Sequence, residues 1–177
     1  CEMDCRVTLH YLAPTKDRYP FPVRDIRRIV LMRKLYKQIA PDVILIVDAG
    51  RSFVNIPAAK GYKVITWEHF NVGVNWHLSH RLSRKIAAKF SDLIVTLTTS
   101  DAAAYKTQFG AKNTLCIYNP VTIDATEPSP MDKKTCVAIG RYAYQKNFID
   151  LIRACNLTLA RKEGWTLRII GAGEQKS

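Results

Sequence analysis

VAIGRYAYQKNF, residues 137–148, and LRIIGAGE, residues 167–174, each join an apolar run to a turn that contains glycine. The apolar runs predict strands at Thr135–Ile139 and Thr166–Ile170, and the segment between them predicts a helix at Asn147–Lys162. A strand, a helix and a second strand in this order are typical of a parallel βαβ unit. This part of the sequence therefore predicts an α/β fold.

The two turns of this unit have the residue types of a phosphate site. Because the carboxyl ends of parallel strands meet at one edge of a sheet, we expect both turns at the same edge. Arg141 can hold two phosphate oxygens through its guanidinium fork, and Lys146 adds a second cation. The helix that begins near Asn147 would direct its positive dipole end at the same anion, while Gly171 and Gly173 let the backbone approach it. The alternative is a surface arginine and lysine beside two ordinary turns, but the combined pattern favours phosphate binding.

Strand and helix patterns also alternate upstream of this unit. Apolar residues at helical spacing predict helices at Val23–Ile39 and Asn75–Phe90, and Ser100 is expected to cap a helix that ends at Phe109. The predicted strands are Arg6–Leu12, Asp42–Val47, Lys63–Thr66, Leu93–Thr96 and Thr114–Ile117. This alternation is typical of a mostly parallel sheet with helices on both faces.

The composition of the 177 residues, 47% apolar and 24% charged, is that of a globular protein. The longest apolar run, Val43–Val47, has the length of a strand and not of a membrane span. Five cysteines, an odd number with no CxxC pair, give little support to a metal site or a disulfide framework. With no secretory signal expected at the start, these features predict a cytoplasmic protein.

The net charge of +12 is the one extreme value, and it predicts an anionic partner: a nucleic acid, a membrane surface or a phosphorylated substrate. Aromatic residues do not alternate with basic ones in a stacking pattern, which argues against nucleic acid. In the predicted helix 75–90, the stripe of Leu78, Leu82 and Ile86 is expected to face inward. The residues expected to face outward are His80, Arg81, Arg84, Lys85 and Lys89. Such a face would bind an anionic membrane, although an ordinary solvated face has the same composition.

The order of the motifs resembles a known family. Gly140-Arg141, four further residues and Lys146, followed after the next strand by IIGAGE (169–174), are similar to the start of the carboxy-terminal domain of retaining glycosyltransferases of family 4. ITWEHFN (65–71) resembles that family's histidine-containing loop, and SDLIVT (91–96) its next strand. The resemblance extends from about residue 42 to residue 174. It implies the GT-B fold: a Rossmann-like parallel sheet domain followed by the first βαβ unit of a second Rossmann-like domain.

By this resemblance, the substrate is a nucleotide-sugar donor, and no metal ion is expected. Arg141 and Lys146 would bind the donor's diphosphate and stabilise the charge that develops on it, and His69 would contact the transferred sugar. These three are the expected catalytic residues. The expected donor-binding residues are Gly140, Arg141, Lys146, Gly171, Gly173 and Glu174. Glu68 is interpreted as local structure or an acceptor contact, and Asp48 and Asn71 as weaker acceptor-site candidates.

The resemblance also implies how the chain is organised. Residues 1–124 are expected to form the acceptor-side Rossmann-like domain, residues 125–134 a linker, and residues 135–177 the start of the nucleotide-sugar domain. The family's first strand would precede residue 6 and its paired glutamates would follow residue 177, so we expect no transferase activity from this chain alone.

The resemblance predicts retaining transfer to a glycan or a polyprenyl- or other lipid-linked acceptor in bacterial-type surface polysaccharide or lipopolysaccharide synthesis, with the protein peripheral at the inner face of the plasma membrane. Two other functions stay open: a basic membrane- or RNA-binding α/β module without catalysis, and a sugar-nucleotide epimerase of the GT-B fold.

Overall fold

The computed structural model of the chain describes residues 6–12, 20–74, 78–122, 127, 129–159 and 162–173. The chain divides into two compact units, Cys1–Val121 (unit 1) and Thr122–Ser177 (unit 2). Each unit is described by itself. None of the helices in the described ranges has the length and apolar content of a membrane-spanning segment.

Unit 1 is built on a four-stranded sheet whose strands are all parallel and follow one another in chain order. The strands are β1 (Val43–Val47), β2 (Lys63–Glu68), β3 (Leu93–Thr96) and β4 (Thr114–Cys116). The helices are α1 (Val23–Ile39), α2 (Ser52–Ala58), α3 (Leu78–Phe90) and α4 (Thr99–Phe109), and a short 3-10 turn at Ala49–Arg51 precedes α2. The strands of a parallel sheet all end at one edge, so the loops after β1, β2 and β3 lie at the same edge.

The core of unit 1 lies between one face of the sheet and the helices. Alternate residues of β1 and β2 point to this face, as strand geometry requires. One buried cluster consists of Ile44, Ile46, Ala59 and Val64, and a second of Ala49, Val72, Ala87, Ala88, Ile94, Tyr105 and Ala111. On the other face, Val43, Leu45 and Val47 remain about half exposed. Helices on both faces were expected; on the described residues of β1 that expectation is wrong.

Two local sequence interpretations in unit 1 are also wrong. The cap of α4 is Thr98 and not Ser100, because the Thr98 hydroxyl accepts the amide hydrogen of Asp101 at 3.1 Å. The expected end of that helix is confirmed, since Gly110 closes it in the left-handed conformation with φ of 71°. Residues 7–12 form no strand and are exposed, so the alternation at Arg6–Leu12 did not identify a sheet partner.

The face that α3 turns inward also differs from the prediction. Ser83, Arg84, Ala87 and Ala88 are buried, whereas Leu78 and Leu82 are 85% and 48% exposed. Small side chains let the helix approach its neighbours closely, and a buried arginine replaces the expected leucine stripe. Arg84 therefore leaves the predicted basic surface. Residues 75–77, which the prediction included in this helix, lie outside the described residues.

Unit 2 contains a two-stranded parallel sheet, β5 (Thr135–Ile139) and β6 (Thr166–Ile170), whose bounds match the prediction. Between them lie a 3-10 turn at Tyr144–Lys146 and the helix α5 (Phe148–Leu159). The helix begins one residue later than predicted because Asn147 has a φ of 49° and so cannot continue it. No described residue of unit 2 is buried. The predicted α/β fold with parallel strands is confirmed.

Candidate functional site

The turns after β5 and β6 run side by side beyond the ends of their strands. The amide of Gly140 donates to the carbonyl of Ile170 at 3.0 Å, and the amide of Tyr142 donates to the carbonyl of Ala172 at 2.9 Å. These bonds continue the parallel ladder, in which Ile139 is the partner of Ile170, into both turns. The expectation that the two turns share one edge is thus met by direct contact.

Glycine is required where these two turns touch. A Cβ atom at Gly171 would overlap the carbonyl of Gly140, and one at Gly173 would overlap the backbone of Tyr142. Since the obstacle is backbone and not a flexible side chain, only glycine lets the turns approach so closely. The predicted role of these glycines near a ligand stays a prediction, but their role in joining the two turns is visible in the structure.

Two aromatic residues hold the first turn onto the unit. The hydroxyl of Tyr142 donates to the carbonyl of Ile169 at 3.3 Å, and its ring meets the ring of Phe148 edge to face at 5.7 Å. Phe148 also lies 3.2 Å from the position that a Cβ at Gly140 would take. The turn is therefore fixed to both β6 and the first residue of α5.

The two predicted cations extend from this turn. Arg141 and Lys146 are exposed, and within the part of the chain that the structure describes neither makes an ion pair or a side-chain hydrogen bond. The stem of Lys146 passes over Gly140, with its Cδ atom 3.6 Å from the ideal Cβ position there. Two uncompensated cations beside a glycine turn have the chemistry that could hold an anion such as a diphosphate. Glu174, the last predicted donor-binding residue, lies outside the described residues.

The acidic residue at the start of α5 has its own partners. Asp150 accepts from the side-chain amide of Asn147 at 2.8 Å and from the guanidinium of Arg153 at 3.1 Å, and these two bonds lower the pKa of its carboxyl. Its charge is therefore directed at Asn147 and Arg153 and not at Arg141 or Lys146.

His69 lies in unit 1, immediately after β2, and is exposed. Its ring is stacked at a tilt of 30° on Trp67, with 5.2 Å between the ring centroids. Two other side chains on this edge accept from nearby backbone amides: Asp48 Oδ1 accepts from the amide of Gly50 and Asn71 Oδ1 from that of Gly73, each at 2.8 Å. Each of these two acceptor candidates therefore stabilises a turn, whereas His69 presents its ring to solvent.

Next to His69 in the chain begins a buried polar network that we call the Glu68 network: Glu68, Arg84 and Tyr105. Glu68 is 1% exposed, and its carboxylate accepts from Arg84 Nε at 2.9 Å and from the Tyr105 hydroxyl at 2.8 Å. Its other oxygen accepts from the amide of Phe70 at 3.0 Å. Burial and the adjacent carboxylate raise the pKa of Tyr105, so this hydroxyl remains a donor. The interpretation of Glu68 as local structure agrees with these contacts.

Arg84 also binds the loop that follows β2, residues 69–74. With no exposed surface, its guanidinium donates to the carbonyls of Val72 at 2.8 Å, Val74 at 3.0 Å and Asn71 at 3.1 Å. Asp101 makes a fourth hydrogen bond to this loop, since its carboxylate accepts from the amide of Val72 at 3.0 Å. Every polar atom of the buried guanidinium is thereby directed at an acceptor, as a buried charge requires.

Sequence reasoning missed Arg84, Tyr105 and Asp101, although one signal was present. In β2 the residues Val64, Thr66 and Glu68 lie on the same face, which is the buried face of the strand. The predicted strand ended at Thr66; because β2 extends to Glu68, the same alternation places a carboxylate in the core, and a buried carboxylate needs a buried cation. The pattern could not say which of the basic residues of α3 would supply it.

A separate pocket of about 720 Å³ lies on unit 1 between the first half of α1, the start of α2 and the start of α3. Its charged lining residues are Arg24, Asp25, Arg28 and Arg51. Gly50 forms part of the wall, and a Cβ there would overlap the imidazole of His80. The pocket lies at the sheet edge where β1 ends.

Comparison with known proteins agrees with this fold and shows similarity to glycosyltransferases. No protein-family profile matches the chain. Over 149 residues it is 26% identical to an uncharacterized glycosyltransferase of Haemophilus influenzae, covering 82% of this chain and 42% of that protein. The chain thus spans less than half the length of this relative.

Solved structures show the same relation. TarM superposes on 84% of the chain with a TM-score of 0.68 at 18% identity, and the match covers 32% of TarM. The lipopolysaccharide outer core galactosyltransferase WaaB matches 86% of the chain with a TM-score of 0.63 at 22% identity, over 43% of its own length. A Staphylococcus aureus TarM variant in complex with Fondaparinux, α-GlcNAc-glycerol and UDP gives a TM-score of 0.64. The predicted GT-B type of α/β fold is confirmed, and the chain is glycosyltransferase-like in sequence and in fold.

Proposed function

We propose that the chain is part of a retaining glycosyltransferase of family 4 that transfers a hexose from a nucleotide-sugar donor. The observation that carries this proposal is the pair of cations, Arg141 and Lys146, on the glycine-joined turns of unit 2. Similarity to a glycosyltransferase over 82% of the chain supports it independently. The epimerase and the non-catalytic module have no comparable support.

Unit 2 would bind the diphosphate of the donor. When the bond between sugar and phosphate breaks, negative charge grows on the departing diphosphate. Arg141 can hold two of its oxygens and Lys146 a third, and both would interact more strongly with the transition state than with the intact donor. These cations would do without a metal ion what Mg²⁺ does in other phosphate sites, while Gly140, Gly171 and Gly173 keep the backbone close to the nucleotide.

Unit 1 would contribute His69 and the acceptor surface. His69 extends from the carboxyl edge of the sheet, where α/β folds bind their ligands, and would donate a hydrogen bond to the transferred sugar. The acceptor would be a glycan or a lipid-linked glycan of a bacterial surface polymer. WaaB, named for the lipopolysaccharide outer core, and TarM, solved with UDP and α-GlcNAc-glycerol, support this class of acceptor.

The exposed face of α3 suggests where such an enzyme would work. Leu78 and Leu82 are exposed beside Arg81, Lys85 and Lys89, a combination of apolar and basic residues typical of helices that lie on anionic membranes. We propose a cytoplasmic protein that binds the membrane surface peripherally. Co-sedimentation with anionic vesicles that is lost in Lys85→Glu/Lys89→Glu would support this placement, and equal binding of both proteins would contradict it.

Direct binding of nucleotides tests the donor site without requiring turnover. The chain is titrated calorimetrically with UDP, GDP, ADP and dTDP, and the best binder is repeated with Arg141→Ala and Lys146→Ala. Each loss of a charge-assisted contact should weaken binding about tenfold or more. Lys133→Ala, which removes an exposed cation just before the opposite end of β5, is the control and should bind normally. Affinity unchanged in both site variants would overturn the proposal.

A further inference from the structure

The loop of residues 69–74 is exposed at most positions, yet buried side chains form hydrogen bonds with its backbone at several points. Phe70 and Val72 donate to buried carboxylates, and the carbonyls of residues 71, 72 and 74 accept from one guanidinium. His69 lies at the start of this loop, between Glu68 and Phe70. The residue before His69 is therefore held by the core through its side chain, and the residue after it through its amide.

We propose that Arg84 is a positioning residue for His69, a role that rests on the function proposed for His69 above. The Arg84 side chain is itself fully buried and so acts from within the core. It acts by holding the loop backbone and the Glu68 carboxylate in one arrangement, which fixes the direction in which the His69 ring leaves the sheet. The same arrangement keeps that ring stacked on Trp67.

The chemistry of the contacts explains why arginine is needed. One planar guanidinium donates in several fixed directions, to Glu68 through Nε and to three carbonyls through its two terminal nitrogens. A lysine ammonium has three donors on a flexible stem and cannot reproduce this fork. The Glu68 carboxylate that accepts from the guanidinium is itself held by the Tyr105 hydroxyl, so the network joins β2, α3 and α4 beneath a single loop.

Arg84→Lys separates positioning from folding, because it keeps the buried charge opposite Glu68 and removes the fork. Tyr105→Phe is the second variant, since it removes one hydroxyl from the network and leaves the ring. Arg33→Lys is the matched control: Arg33 also donates to backbone carbonyls, those of Lys60 and Ala58, but these lie elsewhere in unit 1. Amide exchange and the ring signals of His69 are recorded by NMR on the full 177-residue chain.

In Arg84→Lys we expect exchange at Phe70, Val72 and Val74 to quicken about tenfold or more, and the ring-current shift that Trp67 imposes on His69 to shrink. Tyr105→Phe should give a smaller change of the same kind, and Arg33→Lys none. Exchange at Ile94, whose amide donates to Asn113 within the sheet, is the reference for global opening.

Unchanged loop exchange and His69 signals in Arg84→Lys would overturn the inference. Quickening that is equal at Ile94 and in the loop would overturn it too, because it would show loss of stability alone. A failure of the proposed function is seen elsewhere: the chain would bind no nucleotide, while the loop data stayed as expected.

Discussion

Unit 1 and unit 2 place candidate residues at the same kind of position, just beyond the carboxyl end of a parallel strand, but they hold that position by different means. In unit 1 the loop after β2 rests on the Glu68 network, whose three side chains are buried. In unit 2 the turns after β5 and β6 are joined by backbone hydrogen bonds and by glycines in contact with backbone, and no described residue there is buried.

This difference determines which kind of substitution each site is sensitive to. A site supported by buried charge is sensitive to the loss of a side chain, because the remaining partner is left unpaired in the core. A site supported by close backbone contact is sensitive to the addition of a single carbon atom. Unit 1 should therefore respond most to truncation and unit 2 to enlargement.

The largest expected effect is that of Glu68→Ala in unit 1. The substitution leaves the Arg84 guanidinium buried without its carboxylate, and breaking a buried ion pair on one side costs about 3–5 kcal/mol of the free energy of unfolding. Urea denaturation followed by tryptophan fluorescence measures this loss. Asp150→Ala removes a carboxylate from the exposed pair with Arg153 in unit 2 and should leave the denaturation midpoint unchanged. Equal midpoints for Glu68→Ala and the unaltered chain would contradict the contrast.

The second effect tests unit 2 by enlargement. In Gly171→Ala the new methyl group meets the carbonyl of Gly140, so the two turns must separate, at a cost of about 1–3 kcal/mol. We expect faster exchange of the amides of Gly140 and Tyr142 and weaker nucleotide binding, with amides of unit 1 unaffected. Gly61→Ala, at a positive φ but with no atom within 4 Å of the new Cβ, is the control for glycine loss in unit 1. Retained exchange protection at Gly140 would show that the turns do not depend on this contact.

The contrast also explains what the sequence could predict. Both strands of unit 2 have the predicted bounds, and the structure places Gly140, Gly171, Arg141 and Lys146 on the predicted turns, because these residues lie close to one another in a short motif. The Glu68 network joins residues 68, 84 and 105, and local periodicity carries no information on such pairings. The α3 stripe shows the same limit: Leu78 and Leu82 had the right spacing to be inward, but the core selected Arg84 and two alanines.

A third, smaller effect concerns the start of α4. Thr98 accepts the amide of Asp101 and donates to the Asp101 carboxylate, which in turn binds the loop at Val72. Thr98→Ala should cost about 1 kcal/mol, the usual effect of losing an N-cap. Ser100→Ala, at the position that the sequence favoured as the cap, should cost clearly less. Thermal denaturation of both variants shows which residue contributes more to stability. A larger loss of stability in Ser100→Ala would restore the sequence-based assignment of the cap.

The smallest effect is a pH dependence that again separates the units. Asp92 accepts from the amide of Val64 at 2.8 Å and from Lys63 at 3.4 Å, and these contacts lower the pKa of its carboxyl below the ordinary 3.8. Because the folded-state pKa lies below the unfolded one, the stabilisation is complete above about pH 4 and is lost as the pH falls through the folded-state value. The half-exposed side chain limits it to about 1 kcal/mol or less.

Asp92→Asn removes this titration, so its urea midpoint should lie below that of the unaltered chain at neutral pH, and the gap should close as the solution is acidified below about pH 4. Asp150 also has a lowered pKa, but it connects only residues at the start of α5, whereas Asp92 connects the first residues of β2 and β3. Asp150→Asn should therefore show no such closing gap in the transition of unit 1. A gap for Asp92→Asn that stays constant across the acid range would mean that the carboxyl is not what holds these strands together.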